Sequence, residues 1–180
     1  AYQALKPKKG QKIFTALNHS PMGYSVAAAV GAQLSNMEKN VIAIIGDGSV
    51  QMNVQEFETI SYNKLPIKVF IINNGGYGLI KGTLETFLDR NYVGVDKSSG
   101  LGIPDFEKIA YAYNIKYLKI SDYSEFKEKL KSQINANEPV IFDILVNPSQ
   151  RVIPKLESGR ELHDMAPNLD KETLDQIMKI

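Results

Sequence analysis

The chain has no cysteine among its 180 residues, which removes disulfides, thiolate metal sites and thiol nucleophiles together and fits a reducing compartment. Charge of one sign is also lacking. Lys and Arg number 21 against 20 Asp and Glu, a net of +1, so there is no basic field for nucleic acid and no acidic tail. No apolar run approaches the length of a membrane span; Val41 to Ile45 and Val69 to Ile72 are strand-sized. Lys6, Lys8 and Lys9 stand near the start with no apolar stretch behind them, so no signal peptide is read there. No Gly-Lys-Ser or Gly-Lys-Thr follows a glycine turn, no Gly-x-Gly-x-x-Gly opens a helix, and no Gly-x-Ser-x-Gly elbow occurs. His19 and His163 are too far apart in sequence to suggest a zinc site. What remains is a globular domain of cytoplasmic type, with neither nucleic acid nor membrane as partner.

What is present is an alternation of strand and helix patterns. Buried strands are expected at Val41 to Ile45 and Ile67 to Ile72, where apolar residues run without interruption, and a short strand at Ile13 to Leu17. Further strands are expected at Ile115 to Ile120 and Val140 to Val146. Met22 to Gln33, rich in Ala, Val and Gly, suits a helix packed closely on a sheet. Asn53 to Tyr62, with Val54, Phe57 and Ile60 on one side, reads as an amphipathic helix; Asp105 to Tyr113 and Tyr123 to Asn135 read as two more. Such alternation predicts an α/β fold, a three-layer αβα sandwich around a parallel sheet. The domain is expected over residues 1–147, lacking its first strand, and 148–180 as an extended tail with a short helix.

Ligands of open parallel sheets gather at the carboxyl ends of the strands. Two strands here end in informative loops: Gly46-Asp47-Gly48-Ser49 and Asn73-Asn74-Gly75-Gly76-Tyr77-Gly78. One crossover joins them, so the loops are expected to converge. Asp47 offers a carboxylate, Asn74 an amide oxygen, and the glycine-rich turn a backbone carbonyl. Such a hard-oxygen set leaves about three of six octahedral positions for phosphate and water, the manner in which Mg²⁺ is commonly held. Gly48, Ser49 and the turn would donate to the same phosphates, helped by the start of a helix behind Ser49. Taken alone, Gly-Asp-Gly is an ordinary turn and Asn-Gly-Gly an ordinary loop. Their pairing at two strand ends favours the functional reading.

Gly46-Asp47-Gly48, the 27-residue separation of Asp47 from Asn74, and Asn73-Asn74 together resemble the thiamine diphosphate signature. Gly46 to Asn53, Leu65-Pro66-Ile67-Lys68-Val69 and Ser20-Pro21-Met22-Gly23-Tyr24 resemble the acetolactate synthase-like branch of those enzymes. The resemblance implies the thiamine diphosphate-binding fold, with thiamine diphosphate and Mg²⁺ as cofactors. It implies Asp47, the Asn74 side chain and the Gly76 carbonyl as metal ligands. Gly46, Gly48, Ser49, Gly78 and Leu79 would then line the diphosphate, and Tyr77 would either pack beside the cofactor or fill the loop. Met22 would wedge under the cofactor, and the Ser20 carbonyl would accept from the pyrimidine amino group. In that family the cofactor deprotonates itself and attacks a small 2-oxo acid, leading to decarboxylation or carbon–carbon ligation by a lyase or transferase.

The resemblance also implies a missing half. Relatives carry a pyrimidine-binding domain that supplies an activating glutamate across the interface of a homo-oligomer, a dimer or tetramer. No candidate for that glutamate stands before the metal-binding half of this chain, so the isolated chain is expected to be inactive. Two alternatives stay open: a split small subunit of a sulfopyruvate or phosphonopyruvate decarboxylase-like enzyme, and a non-catalytic scaffold that retains the fold. Asn18, His19 and Ser20 stand where the family usually has small, glycine-rich residues; His19 either influences substrate choice or is incidental.

Overall fold

The computed structural model describes residues 4–16, 18–156, 159–167 and 169–179. It divides into two compact units, residues 1–148 and 149–180. The first holds four strands, β1 (Ile42–Gly46), β2 (Lys68–Asn73), β3 (Lys116–Ile120) and β4 (Val140–Leu145), all parallel and ordered β1-β2-β4-β3. Side chains alternate across a strand, so the sheet has two faces with separate packing. Ala43, Ile45, Val69, Ile71 and Ile141 lie in one cluster with Val26, Ala29 and Val30 of α1 (Tyr24–Ser35) and Phe57 and Ile60 of α3 (Glu56–Tyr62). Phe106 and Ala110 of α5 (Phe106–Ala112) complete it. Val26, Ala29, Val30 and Gln33 fall at the spacing of one helix face, which is why α1 presents a continuous inward stripe.

The opposite face carries Phe70, Ile120, Val140 and Phe142, against Phe126, Leu130 and Ile134 of α6 (Tyr123–Gln133) and its C-cap. The Phe70 and Phe142 rings stack there, centroids 4.7 Å apart. Helices therefore cover both faces, the three-layer αβα arrangement expected from the alternation. Asp105 and Asp122 start α5 and α6 as N-caps: Asp105 accepts from Glu107 N and Lys108 N, Asp122 from Ser124 N. Between β1 and α3 lie α2 (Asp47–Val50) and a 3-10 turn at Gln51–Asn53. A further helix, α4 (Gly78–Phe87), follows the glycine-rich turn.

The second unit pairs β5 (Lys155–Leu156) with β6 (Met165–Ala166) in antiparallel fashion and ends in α7 (Lys171–Ile177), capped by Asp170. Among the described residues, no helix is long and apolar enough to cross a membrane.

Three expectations need correction, and one helix was not foreseen. Residues 13–16 pair with no strand, and Leu17 lies outside the described residues; apolar character yields a strand only where a ladder partner exists. The run Val41 to Ile45 is buried on one face only, since Ile42 is 52% and Ile44 40% exposed. β1 is an edge strand, and the packing around α6 involves β2, β3 and β4. The helix expected behind Ser49 begins two residues earlier, at Asp47 itself. Finally, α4 went unread in the sequence.

β2 opens on an unexpected group. Lys68 is 2% exposed, and its Nζ donates to the carbonyls of Pro66 (2.8 Å), Ala136 (2.7 Å) and Glu138 (2.8 Å). Burial lowers its pKa, opposed by the Glu138 charge. This ammonium ties the start of β2 to the segment leading into β4.

Candidate cofactor site

Because β1 and β2 are parallel neighbours, with Gly46 opposite Ile72, their carboxyl ends emerge side by side. Gly46, extended at φ −81°, is the N-cap of α2, so the chain turns from strand to helix directly at Asp47. The Asp47 side chain is thereby carried to the start of β2's terminal loop. Residue Asp47 is 1% exposed. Its Oδ1 accepts from Gly48 N at 2.7 Å, and its Oδ2 from Gly75 N at 2.6 Å and Gly76 N at 3.0 Å. Gly76 N also lies 3.2 Å from Asn74 Oδ1. A single N–H therefore sits between the Asp47 carboxylate and the Asn74 amide oxygen, and the two loops do converge.

Burial raises the pKa of Asp47, opposed by backbone N–H groups at Gly48, Gly75, Gly76 and Asn74. The partners that hold this carboxylate are neutral dipoles, not a cation. Gly48 N meets Oδ1, while Gly75 N and Gly76 N both meet Oδ2. The Asp47 carboxylate, the Asn74 oxygen and the Gly76 carbonyl form a hard-oxygen donor set of the kind a Mg²⁺ ion takes. The Gly76 carbonyl accepts from Gly78 N at 3.1 Å and keeps a second lone pair. Among the described residues, no group of three His, Cys, Asp or Glu could hold a metal, so a cation here depends on amide and carbonyl oxygens.

Close packing shapes the turn. A Cβ on Gly48 would stand 2.0 Å from Tyr77 Cε1, so the Tyr77 ring rests directly on the Gly48 backbone. Tyr77 N donates to Val95 O at 2.8 Å, and Gly76 bridges Asp96 in antiparallel fashion. Asp96 in turn pairs with Lys81 of α4 at 2.5 Å. The Lys81 ammonium, then Ser98 and Ser99, hold the Asp96 carboxyl well below the usual range. Gly78 opens α4, and Leu79 beside it is exposed.

A second stretch joins α2 from upstream. Gly23 sits at φ +88°, a conformation that favours glycine. Its N–H donates to Ser49 Oγ at 2.8 Å and its carbonyl accepts from Asn53 Nδ2 at 3.2 Å. The turn containing Ser20 and Met22 is thus fastened to the segment that carries Asp47. Met22 is 37% exposed, which removes core packing as its role. Ser49 accepts through its oxygen and retains a hydroxyl hydrogen to donate.

The sequence reading placed Asn73 in the motif without a role and missed Asp143 and Tyr117. Asn73 Nδ2 donates to Asp143 Oδ1 at 2.9 Å, and Tyr117 O–H donates to Asp143 Oδ2 at 2.8 Å. A carboxylate inside the apolar run Val140 to Leu145 was the available signal.

The family model described as thiamine pyrophosphate enzyme, C-terminal TPP binding domain, matches residues 1–144. The chain belongs to this family. Thiamine pyrophosphate is thiamine diphosphate under its other name, so the family's cofactor is the one the signature implied. The acetolactate synthase large subunit of Cyanidium caldarium is 33% identical over 92% of this chain and 28% of its own length. The probable acetolactate synthase large subunit of Methanocaldococcus jannaschii is 33% identical over 88% of this chain and 27% of its own. Among solved structures, a Rhodococcus jostii thiamine diphosphate-dependent 4-hydroxybenzoylformate decarboxylase superposes with a TM-score of 0.62 at 30% identity. That match covers 70% of this chain and 23% of the decarboxylase. The chain spans about a quarter of the length of the relatives it matches.

Proposed function

We propose that this chain is the diphosphate- and Mg²⁺-holding part of an acetolactate synthase-like enzyme that acts on a small 2-oxo acid by decarboxylation or carbon–carbon ligation. Asp47, the Asn74 side chain and the Gly76 carbonyl would hold the metal. Gly46, Gly48, Ser49, Tyr77, Gly78 and Leu79 would border the diphosphate, with Ser20 and Met22 on the pyrimidine and thiazolium side. When bound, thiamine diphosphate supplies an electron sink for the carbon next to the oxo group. This chain's own groups would bind and orient: a carboxylate, an amide and a carbonyl fix the metal, and N–H groups complete the phosphate contacts. The observation that carries the proposal is the Gly76 N–H shared between Asp47 and Asn74.

Residues 1–147 form the cofactor domain in this reading, and 148–180 its tail. A pyrimidine-binding domain, on the same polypeptide or on a second subunit as in sulfopyruvate decarboxylase-like enzymes, supplies the activating glutamate within a dimer or tetramer. The isolated chain is inactive as a lyase or transferase. The absence of cysteine fits a cytoplasmic setting.

Calorimetric titration of thiamine diphosphate with Mg²⁺ into the chain combined with its pyrimidine-binding partner tests this. Binding should require the metal. Replacing a ligand, as in Asp47→Ala, should weaken it at least as much as the roughly 10–100-fold typical for losing a partner of a metal ligand. Metal-independent binding, or an unaffected Asp47→Ala variant, would contradict the metal assignment; no binding at all would leave a scaffold that only retains the fold.

A further inference from the structure

Asn73 has no part in the proposed metal set, yet its amide is engaged at both ends. Nδ2 donates to Asp143 Oδ1 at 2.9 Å, and Oδ1 accepts from Gly75 N at 3.2 Å. Gly75 N is the group that also meets Asp47 Oδ2 at 2.6 Å. Asp143 lies on β4 with Ile71 of β2 as its register partner, is 4% exposed, and is gripped on its other oxygen by Tyr117 of β3. Hydrogen bonds thus run from β3 through β4 to the tip of β2 and on to Asp47.

A carboxylate buried among neutral partners does not serve stability best. An apolar residue of similar size would suit the run Val140 to Leu145 at least as well. What the carboxylate adds is direction. A primary amide can turn over, exchanging oxygen for NH₂, and an ionised carboxylate only accepts. Asp143 therefore holds the NH₂ of Asn73 toward itself and leaves the oxygen facing Gly75.

We propose that Asp143 is a positioning residue for the Gly75-Gly76 turn, fixing the orientation of Asn73 and through it the backbone N–H groups that hold Asp47. Tyr117 is its second anchor. Burial, then the bond to Asp143, raises the Tyr117 pKa and keeps its proton available for donation. The effect on the turn is independent of any cofactor; the effect on metal affinity rests on the proposed function.

Amide hydrogen exchange read by NMR separates positioning from plain stability. In an Asp143→Leu variant the Gly75 and Gly76 amides should exchange about tenfold faster or more, while Ile71 and Phe142, inside doubly paired strands, keep their protection. Asp143→Asn, whose amide oxygen can still accept from Asn73, should recover most of the protection at Gly75. Equal acceleration at all four amides, or none at Gly75, overturns the inference. If Asp143→Leu does not fold, Tyr117→Phe carries the test, with faster exchange expected at Gly75 and Gly76 before Ile71; an unchanged Gly75 overturns it. In protein combined with the pyrimidine-binding partner, Asp143→Leu should raise the Mg²⁺ needed for half-saturation about tenfold or more. Wild-type protein that ignores Mg²⁺ while Gly75 responds to Asp143→Leu would sink the proposed function and leave the positioning role standing. The converse pattern would sink only the positioning role.

Discussion

Two of the buried ionisable side chains, Asp47 and Lys68, solve the same problem with opposite signs. Asp47 is held by backbone N–H groups and Lys68 by backbone carbonyls, so each charge is balanced by dipoles. Their settings differ, because Asp47 stands at a loop tip beside the Asn74 oxygen whereas the three donors of Lys68 are all engaged at the start of β2. Lys68→Met would leave three carbonyls without their partner, and we expect a loss on the order of 3 kcal/mol in urea unfolding. The pH dependence follows from the lowered pKa. Between the folded value and 10.5, the native chain binds fewer protons than the unfolded one, so the Lys68 contribution improves as pH rises. The stability difference between wild type and Lys68→Met should therefore widen in favour of wild type as pH climbs toward 10.5; a difference that narrows would contradict the burial argument.

At the scale of elements, the tightest contact in the site is helix α2 against the turn that starts α4. Gly48 admits no side chain beneath the Tyr77 ring. Gly48→Ala should destabilise the chain by about 1–3 kcal/mol through overpacking. A Gly48→Ala, Tyr77→Ala double variant should lose less than the two single losses combined, as chemical denaturation of all three variants would reveal; strict additivity would mean the ring is not the obstacle.

The same scale explains what was legible beforehand. β2 and β4 were readable because both lie inside the sheet and are apolar through most of their length, Lys68 and Asp143 excepted. α5 and α6 were readable from their stripes, and Asp105 and Asp122 cap their starts. α4 escaped because Gly78 and Gly82 stand within its ten residues, and glycine is a poor helix former, so the spacing of Ile80, Leu84 and Phe87 went unread. β1 misled because unbroken apolar character does not reveal whether anything covers the second face. In the site, Asp47 and Asn74 were readable because one crossover separates them. The link from Asn73 to Asp143 spans 70 residues and depends on β4 inserting beside β2, which spacing along the chain does not express.

For the molecule as a whole, the notable feature is the open side of the sheet. β1 is an edge strand, and Ile42 and Ile44 present apolar surface on the face opposite α1 and α3. Unpaired strand edges with apolar side chains promote association. We expect the isolated chain to shift toward larger species in size-exclusion chromatography as concentration rises, and an Ile42→Lys, Ile44→Lys variant to shift less. A monomer at every concentration would contradict this expectation.

The proposed function requires Asp47 and Asn74 to share one divalent cation with the diphosphate. Crystals of the chain with its partner domain, thiamine diphosphate and Mn²⁺ in place of Mg²⁺ test that most directly, through the anomalous signal of the metal. The account predicts one peak at about 2.1 Å from an Asp47 carboxylate oxygen, Asn74 Oδ1 and the Gly76 carbonyl, with diphosphate oxygens completing the shell. Bound cofactor with its metal peak away from Asp47 and Asn74 would contradict it.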